Sequence, residues 1–240
     1  MRPLTASDIL KVWEQGEGQS ALDRALAILA VACAEASRDE LAALSVGHRD
    51  ARLFELRELT FGPRLDGFAA CPRCEERLEF ALETAEIRAR AAAADEEFEF
   101  ETGGLALRFR LPNSRDLTAV VACEDLIAAR RMLAAACVLQ TGRNGEAVAE
   151  LPNAAVERLA ERIGECSERT EVILDFACPS CGCEWRSPLD IAAFFWAEIA
   201  AEARRLLREV HLLARAYGWR EAEILVMGAR RRRAYLEMIG

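Results

Sequence analysis

Two four-residue stretches decide how this chain reads: Cys71-Pro72-Arg73-Cys74 and Cys178-Pro179-Ser180-Cys181. Each is a C-x-x-C unit with proline second. At that spacing one tight turn presents two thiolates to one metal ion, and the N–H groups of the turn stabilise the negative sulfurs. Period-two alternation flanks both units. Leu78, Phe80 and Leu82 alternate with Arg77, Glu79 and Glu83 after the first, and Val172, Leu174 and Phe176 alternate before the second. That is strand patterning beside a turn. Gly182 follows the second pair, where a knuckle turn calls for a positive φ, whereas Glu75 holds the matching place after the first. Four thiolates complete a closed tetrahedron, the structural form of a zinc site. The expectation is one structural Zn2+ held by Cys71, Cys74, Cys178 and Cys181, in a zinc ribbon split by a long insertion at about residues 84–171. A redox pair and two knuckles without metal are the alternatives, and the redox reading lacks its usual βαβ surroundings.

Outward from the knuckles, residues 1–66 read as an N-terminal helical region. Ser7-Asp8 opens a first helix. Ser20 with Asp23 forms a capping arrangement, and Leu22, Leu26, Leu29 and Cys33 then make one apolar face. Ser37 and Glu40 form a capping box ahead of Leu41 and Leu44, and Leu53, Leu56 and Leu59 make a third stripe that Gly62-Pro63 ends. Inside the insertion, residues 88–97 read as a linker or frayed helix. Phe98 to Leu111 reads as a hairpin around Gly103-Gly104, and Ser114 to Leu139 as one or two helices with a stripe at Leu126, Arg130, Leu133 and Cys137. Thr141 to Glu146 reads as a loop, and a helix with Val156, Leu159 and Ile163 follows Pro152. Residues 191–240 read as a C-terminal helical region: a long helix to Tyr217 ended by Gly218, then two short ones. The fold class expected is α+β, mostly helical, with regions 1–66, 67–190 and 191–240 forming one compact unit.

Composition narrows the function. The chain has 240 residues and net charge −9, with 52% hydrophobic and 30% charged residues, an ordinary globular mixture. Its 45 alanines and single lysine, Lys11, are read as codon bias. The apolar run from Ala25 to Ala34 is about half a membrane span, and Met1 to Asp8 lacks a signal-peptide core, so no membrane partner and a cytoplasmic location are expected. Thiols stay reduced there, which favours metal over disulfides for paired cysteines. The acidic balance argues against broad phosphate-backbone binding. Cys33 and Cys137 read as core residues, Cys123 and Cys166 lack partner spacing, and Cys183 is near enough to the second knuckle to be a spare ligand. His48 and His211 stand near no nucleophile signature, and no metalloprotease, Walker or dinucleotide motif is present. No enzyme is expected. Arg230 to Arg233 is the strongest basic run, which leaves a zinc-ribbon nucleic-acid binder as the alternative function. The apolar cluster Ile191, Phe194, Phe195, Trp196 and Ile199 reads as core ahead of interface, although Phe194 to Trp196 covers more than one helix face, which hints at contacts on two sides.

A wider pattern resembles the T-even-phage baseplate hub assembly chaperone family. It is carried by Leu26-Ala-Ile-Leu-Ala30, Gly47-His-Arg-Asp-Ala-Arg-Leu53, Phe61-Gly62, both Cys-Pro-x-Cys units, Trp185 and the aromatic run 194–196. His211-Leu-Leu-Ala-Arg-Ala-Tyr-Gly-Trp219 and the close at Ala222-Glu-Ile-Leu-Val-Met227 with Arg231-Arg-Arg-Ala-Tyr-Leu236 extend it. The resemblance implies an assembly factor that holds baseplate, hub or spike proteins of a contractile phage tail or related injection system, with no catalytic residues. The candidate partner-binding residues are Phe194, Phe195, Trp196, Trp219, Arg231, Arg232 and Tyr235.

Overall fold

The period-two and 3.6-residue patterns resolve into helices and small antiparallel sheets in a computed structural model that describes residues 1–84, 97–143, 146–147, 151–168 and 171–239. The class is α+β, mostly helical. Contacts sort the chain into two compact units: residues 1–37, 55–62 and 190–240 in one, and residues 38–54 and 63–189 in the other.

The first unit is helical. It contains α1 (Ala6–Gly16), α2 (Ala21–Ala32), the later part of α4 (Val46–Phe61), the long α8 (Ile191–Tyr217), α9 (Glu221–Val226) and α10 (Ala229–Glu237). Thr5 caps α1 in a box with Asp8, Ser20 accepts from the N–H of Asp23 to start α2, and Asp190 accepts from the N–H of Ala193 to start α8. Gly218, at φ 71°, ends α8 in the left-handed conformation that a side chain disfavours. The apolar stripes meet in a core of Ile9, Val12, Ile28, Leu29, Leu56, Phe195, Ile199, Leu206 and Leu213. Burying each such side chain stabilises the fold by about 1.5–3 kcal/mol. Arg57, 3% exposed, is held by both oxygens of Glu198 at 2.9 and 2.6 Å and donates to the carbonyl of Gly62, so its buried charge is satisfied.

The second unit carries the two knuckles. It contains α3 (Arg38–Ala43), the opening of α4, and two two-stranded antiparallel hairpins, β1 (Arg64–Ala70) with β2 (Arg77–Glu83) and β7 (Ile173–Ala177) with β8 (Glu184–Pro188). Between the hairpins in sequence come β3 (Glu97–Thr102), β4 (Leu105–Arg110), α5 (Ser114–Val120), α6 (Leu126–Ala136), β5 (Val138–Arg143), β6 (Glu146–Ala147) and α7 (Asn153–Glu168). The four strands of this insert pair in the order β3-β4-β5-β6. Phe109, Leu111, Ala134, Cys137, Val156, Leu159, Ala160, Ile163 and Cys166 form its core, with Phe98 and Phe100 against it. Burial pushes the Cys137 thiol up to about 12, and the carboxylate of Asp116 adds to the effect, which suits a core thiol and not a reactive one.

Several expectations are corrected. The first hairpin begins at Arg64, before the boundary placed at 66. Residues 190–240 group with 1–37 and 55–62, and residues 38–54 group with 63–189, where Val46 and Ser45 meet Pro112 and Asn113 of the insert, so the units cut across the three-part division. Leu59 is 48% exposed and Leu126 is 82% exposed, so neither belongs to a buried stripe. Helix α6 ends at Ala136, and Leu139, Thr141 and Gly142 lie in β5 instead of a helix and a loop. The pairing of Leu107 with Thr141 and of Ala106 with Gly142 recruits this glycine-containing stretch to a sheet edge, which its own residues do not signal. The expected linker at 88–97 lies outside the described residues except for Glu97, as do Asn144 and Gly145 of the expected loop.

The α1 cap supplies a test of pH dependence. The Arg2 guanidinium holds the Asp8 carboxyl down to about 2, against partial burial and helped by the hydroxyl and N–H of Thr5. A carboxylate depressed in the folded state stabilises above its unfolded pKa, near 4, and loses that contribution as pH falls towards 2. Asp8→Asn should cost about 1 kcal/mol at pH 7 once solvent screening is allowed for. Thermal melts of both proteins should converge as the pH is lowered from about 4 towards 2, and a gap that stays constant over this range would exclude the linkage.

Candidate metal centre

Each hairpin builds its knuckle in the same way. Ala70 pairs with Arg77 at the end of the first, leaving residues 71–76 as the turn, and Ala177 pairs with Glu184 in the second, leaving 178–183. The N–H of Cys71 donates to the carbonyl of Glu76 at 2.9 Å, and the N–H of Cys178 to that of Cys183 at 2.8 Å. Within each turn the N–H of Glu75 donates to Cys71 and that of Gly182 to Cys178, both at 2.9 Å. The shared geometry demands a left-handed residue five positions after the strand ends. Gly182 takes it at φ 67°, and Glu75 takes it at φ 61°, the one positive φ among described residues other than glycine. The glutamate departs from the usual residue but not from the usual turn.

The two knuckles bring Cys71, Cys74, Cys178 and Cys181 together, with all four sulfurs within 4.8 Å of one another. Cys71 Sγ lies 3.6 Å from Cys181 Sγ, and Cys74 Sγ lies 3.6 Å from Cys178 Sγ. These cross-hairpin distances far exceed a disulfide's roughly 2.05 Å. They approach the roughly 3.8 Å edge of a tetrahedron whose sulfurs stand about 2.3 Å from a central zinc. The donor set therefore fits one thiophilic, four-coordinate ion.

Electrostatics point the same way. Burial opposes ionisation of Cys71, but the N–H groups of Arg73 and Cys74, with the thiol of Cys181, outweigh it and hold Cys71 down to about 6. The N–H of Cys183 favours ionised Cys181, yet burial and the crowding of Cys74, Cys71 and Cys178 prevail and push it up to about 12. Cys71 ionises readily, and the thiols of Cys74 and Cys181 are raised beside it. A divalent cation at the centre removes that repulsion and lets all four serve as thiolates. Cys183 stands outside the four; burial first, and then the nearby Cys71, raise its thiol and keep it protonated. Ring contacts brace the pair of hairpins from behind. Phe80 meets Phe176 edge-on at 5.6 Å, and Phe176 stacks on Trp185 at 5.1 Å. Leu78, Phe80 and Phe176 were visible as alternation, but the contact between hairpins was not.

Residues 1–196 match the family described as T4 bacteriophage base plate protein. The chain belongs to this family. No curated protein and no solved structure gives a match. The T4 base plate match takes in both knuckles, the whole insert between them and the first turns of α8, while residues 197–240 lie beyond it.

The candidate partner-binding residues do not form one surface. Phe195 is fully buried and meets Phe61 edge-on at 5.9 Å. Trp196 lies against Gly16, where a Cβ would clash with its ring, and Arg24 covers the ring at 4.5 Å. Arg232, 3% exposed, bonds to Glu209 at 2.7 Å. Phe195 and Arg232 are thus interior residues, and Trp196 is largely a packing residue. Phe194 is half-buried. At the far end of α8, Tyr217, Trp219 and Tyr235 do gather, with ring centroids 4.5 to 5.6 Å apart and Arg231 near the Tyr235 ring. The 21 residues from Trp196 to Tyr217 place that cluster about 30 Å along the helix from the Phe194–Trp196 end.

Two outcomes test the centre. Cys71→Ser or Cys178→Ser should abolish bound metal by elemental analysis and lower stability by more than about 3 kcal/mol, because an ion held by the four thiols would clamp hairpins a hundred residues apart. Glu75→Gly should raise the melting temperature of the metal-loaded protein by an amount worth about 0.5–1 kcal/mol, since it relieves a left-handed glutamate while gaining unfolded-state freedom. A lower melting temperature for Glu75→Gly would mean that the side chain itself is needed.

Proposed function

We propose that this T4 base plate family member is a non-enzymatic assembly factor that holds hub or spike proteins of a contractile tail, in the cytoplasm, before they enter the baseplate. The carrying observation is the family match over residues 1–196, which supports baseplate proteins as its partners. The earlier resemblance to hub assembly chaperones narrows the role within that family. The ion at the thiol centre is zinc in this reading. Four sulfur donors at tetrahedral spacing leave no open position for water or substrate, so the metal holds the two hairpins together and takes no part in a reaction.

Arg232 sits with Glu209 in the interior, which removes the middle of the basic run from any nucleic-acid surface. Membrane insertion has no support among the described residues, where no helix is long and apolar enough to cross a bilayer.

Co-expression with the hub and spike proteins of the same tail checks the assembly role. The expected result is a soluble complex with at least one of them and absence of this chain from purified finished tails. Stoichiometric recovery in finished tails would make it a structural baseplate subunit instead. Zinc at about one equivalent per chain, and not iron, is the expected metal content.

A further inference from the structure

Helix α8 carries an exposed stripe opposite its buried face. Arg204, Leu207, Arg208, His211, Leu212 and Arg215 follow the spacing i, i+3, i+4, i+7, i+8 and i+11, which aligns them along one side of the helix. All six are exposed, Leu207 at 38% and Leu212 at 45%. The opposite side holds Ala203, Leu206, Glu209 and Leu213, all buried. The stripe contains no carboxylate. Arg204, Arg208 and Arg215 make no ion pair with any described residue, while Arg205 next to them is paired with Glu202 and Glu209. Residues 204–239 hold nine arginines against four glutamates in a chain whose net charge is −9. The stripe also lies wholly beyond the region matched by the family, so the shared fold does not account for it.

We propose that this stripe is the docking face for an acidic amphipathic helix of a partner protein. Charge complementarity sets the sign of the occupant: unpaired guanidinium groups with no acid among them call for carboxylates. Two exposed leucines one to two turns apart call for apolar residues at matching helical spacing. A straight face about 16 Å long matches three turns of a second helix. The partner being a hub or spike component rests on the assembly reading; the chemistry of the face does not.

The test uses the full-length, metal-loaded protein and a designed helical peptide with glutamates flanking a leucine stripe. A scrambled peptide of equal composition, a DNA duplex and an anionic phospholipid vesicle are the comparisons. Wild type should bind the designed peptide at least tenfold more tightly than the scramble. Affinity should fall at least tenfold in Arg204→Glu/Arg208→Glu/Arg215→Glu and several-fold in Leu207→Ala/Leu212→Ala, with melting temperatures unchanged. Equal binding by the triple variant or by the scramble overturns the proposal. Tighter binding of the duplex or the vesicle, or self-association in sedimentation that the triple variant abolishes, overturns it in favour of that occupant. If hub or spike capture survives the triple substitution, the stripe fails and the assembly role stands. If wild type binds the peptide but captures no hub or spike protein, the assembly role fails and the stripe stands.

Discussion

Four thiols cannot share a space less than 5 Å across as four negative charges unless something positive sits among them. That constraint organises the second unit. Cys71 is predisposed to ionise by the N–H groups of its turn, and Cys181 is driven the other way by its neighbours. An ion at this place would reconcile them and, in doing so, tie a hairpin at residues 64–83 to one at 173–188. Neither hairpin is stable alone by ordinary standards, since two strands bury too little. The cross-hairpin rings of Phe80, Phe176 and Trp185 add apolar contact, and a metal held by the four thiols would supply the link that two ribbons lacking shared strand hydrogen bonds do not have.

The insert between the hairpins is held by its own core and does not draw on the metal. Phe109 and Leu159 are wholly buried, and the sheet β3-β4-β5-β6 lies with α6 and α7 around them. Such an insert can lengthen the chain between two ligand pairs without altering either knuckle, because each turn is closed by local hydrogen bonds within six residues. A ribbon is therefore compatible with more than a hundred residues between its halves. The helical unit is organised differently, by a 27-residue helix that serves as the common wall for short helices from both ends of the chain.

How much was legible depended on whether a signal was local. The capping residue Ser20, the stop at Gly218, the hairpin around Gly103-Gly104 and the strand alternation beside the knuckles all follow from backbone preferences within a few residues. The four ligands were legible for the same reason, two tight turns with a fixed thiol spacing. The errors fell where a distant partner decides. Leu126 and Leu59 fit an apolar period, but no neighbour covers them; β5 contains Gly142, yet pairing with β4 makes it a strand. Phe195 reads as core or as contact and Arg232 as a surface residue, because an aromatic run and an arginine run are ambiguous until burial is known; both are buried.

By itself the sequence determined the α+β class, the two knuckles and the identity of the thiols, because turn geometry and hydrophobic period are properties of neighbouring residues. Tertiary structure alone decided that Phe80 of one hairpin meets Phe176 of the other, that Glu75 adopts the turn a glycine usually takes, and that Arg232 is locked to Glu209 while Arg204, Arg208 and Arg215 stay open. These depend on what packs against a residue from far along the chain, and spacing in sequence carries no information about that.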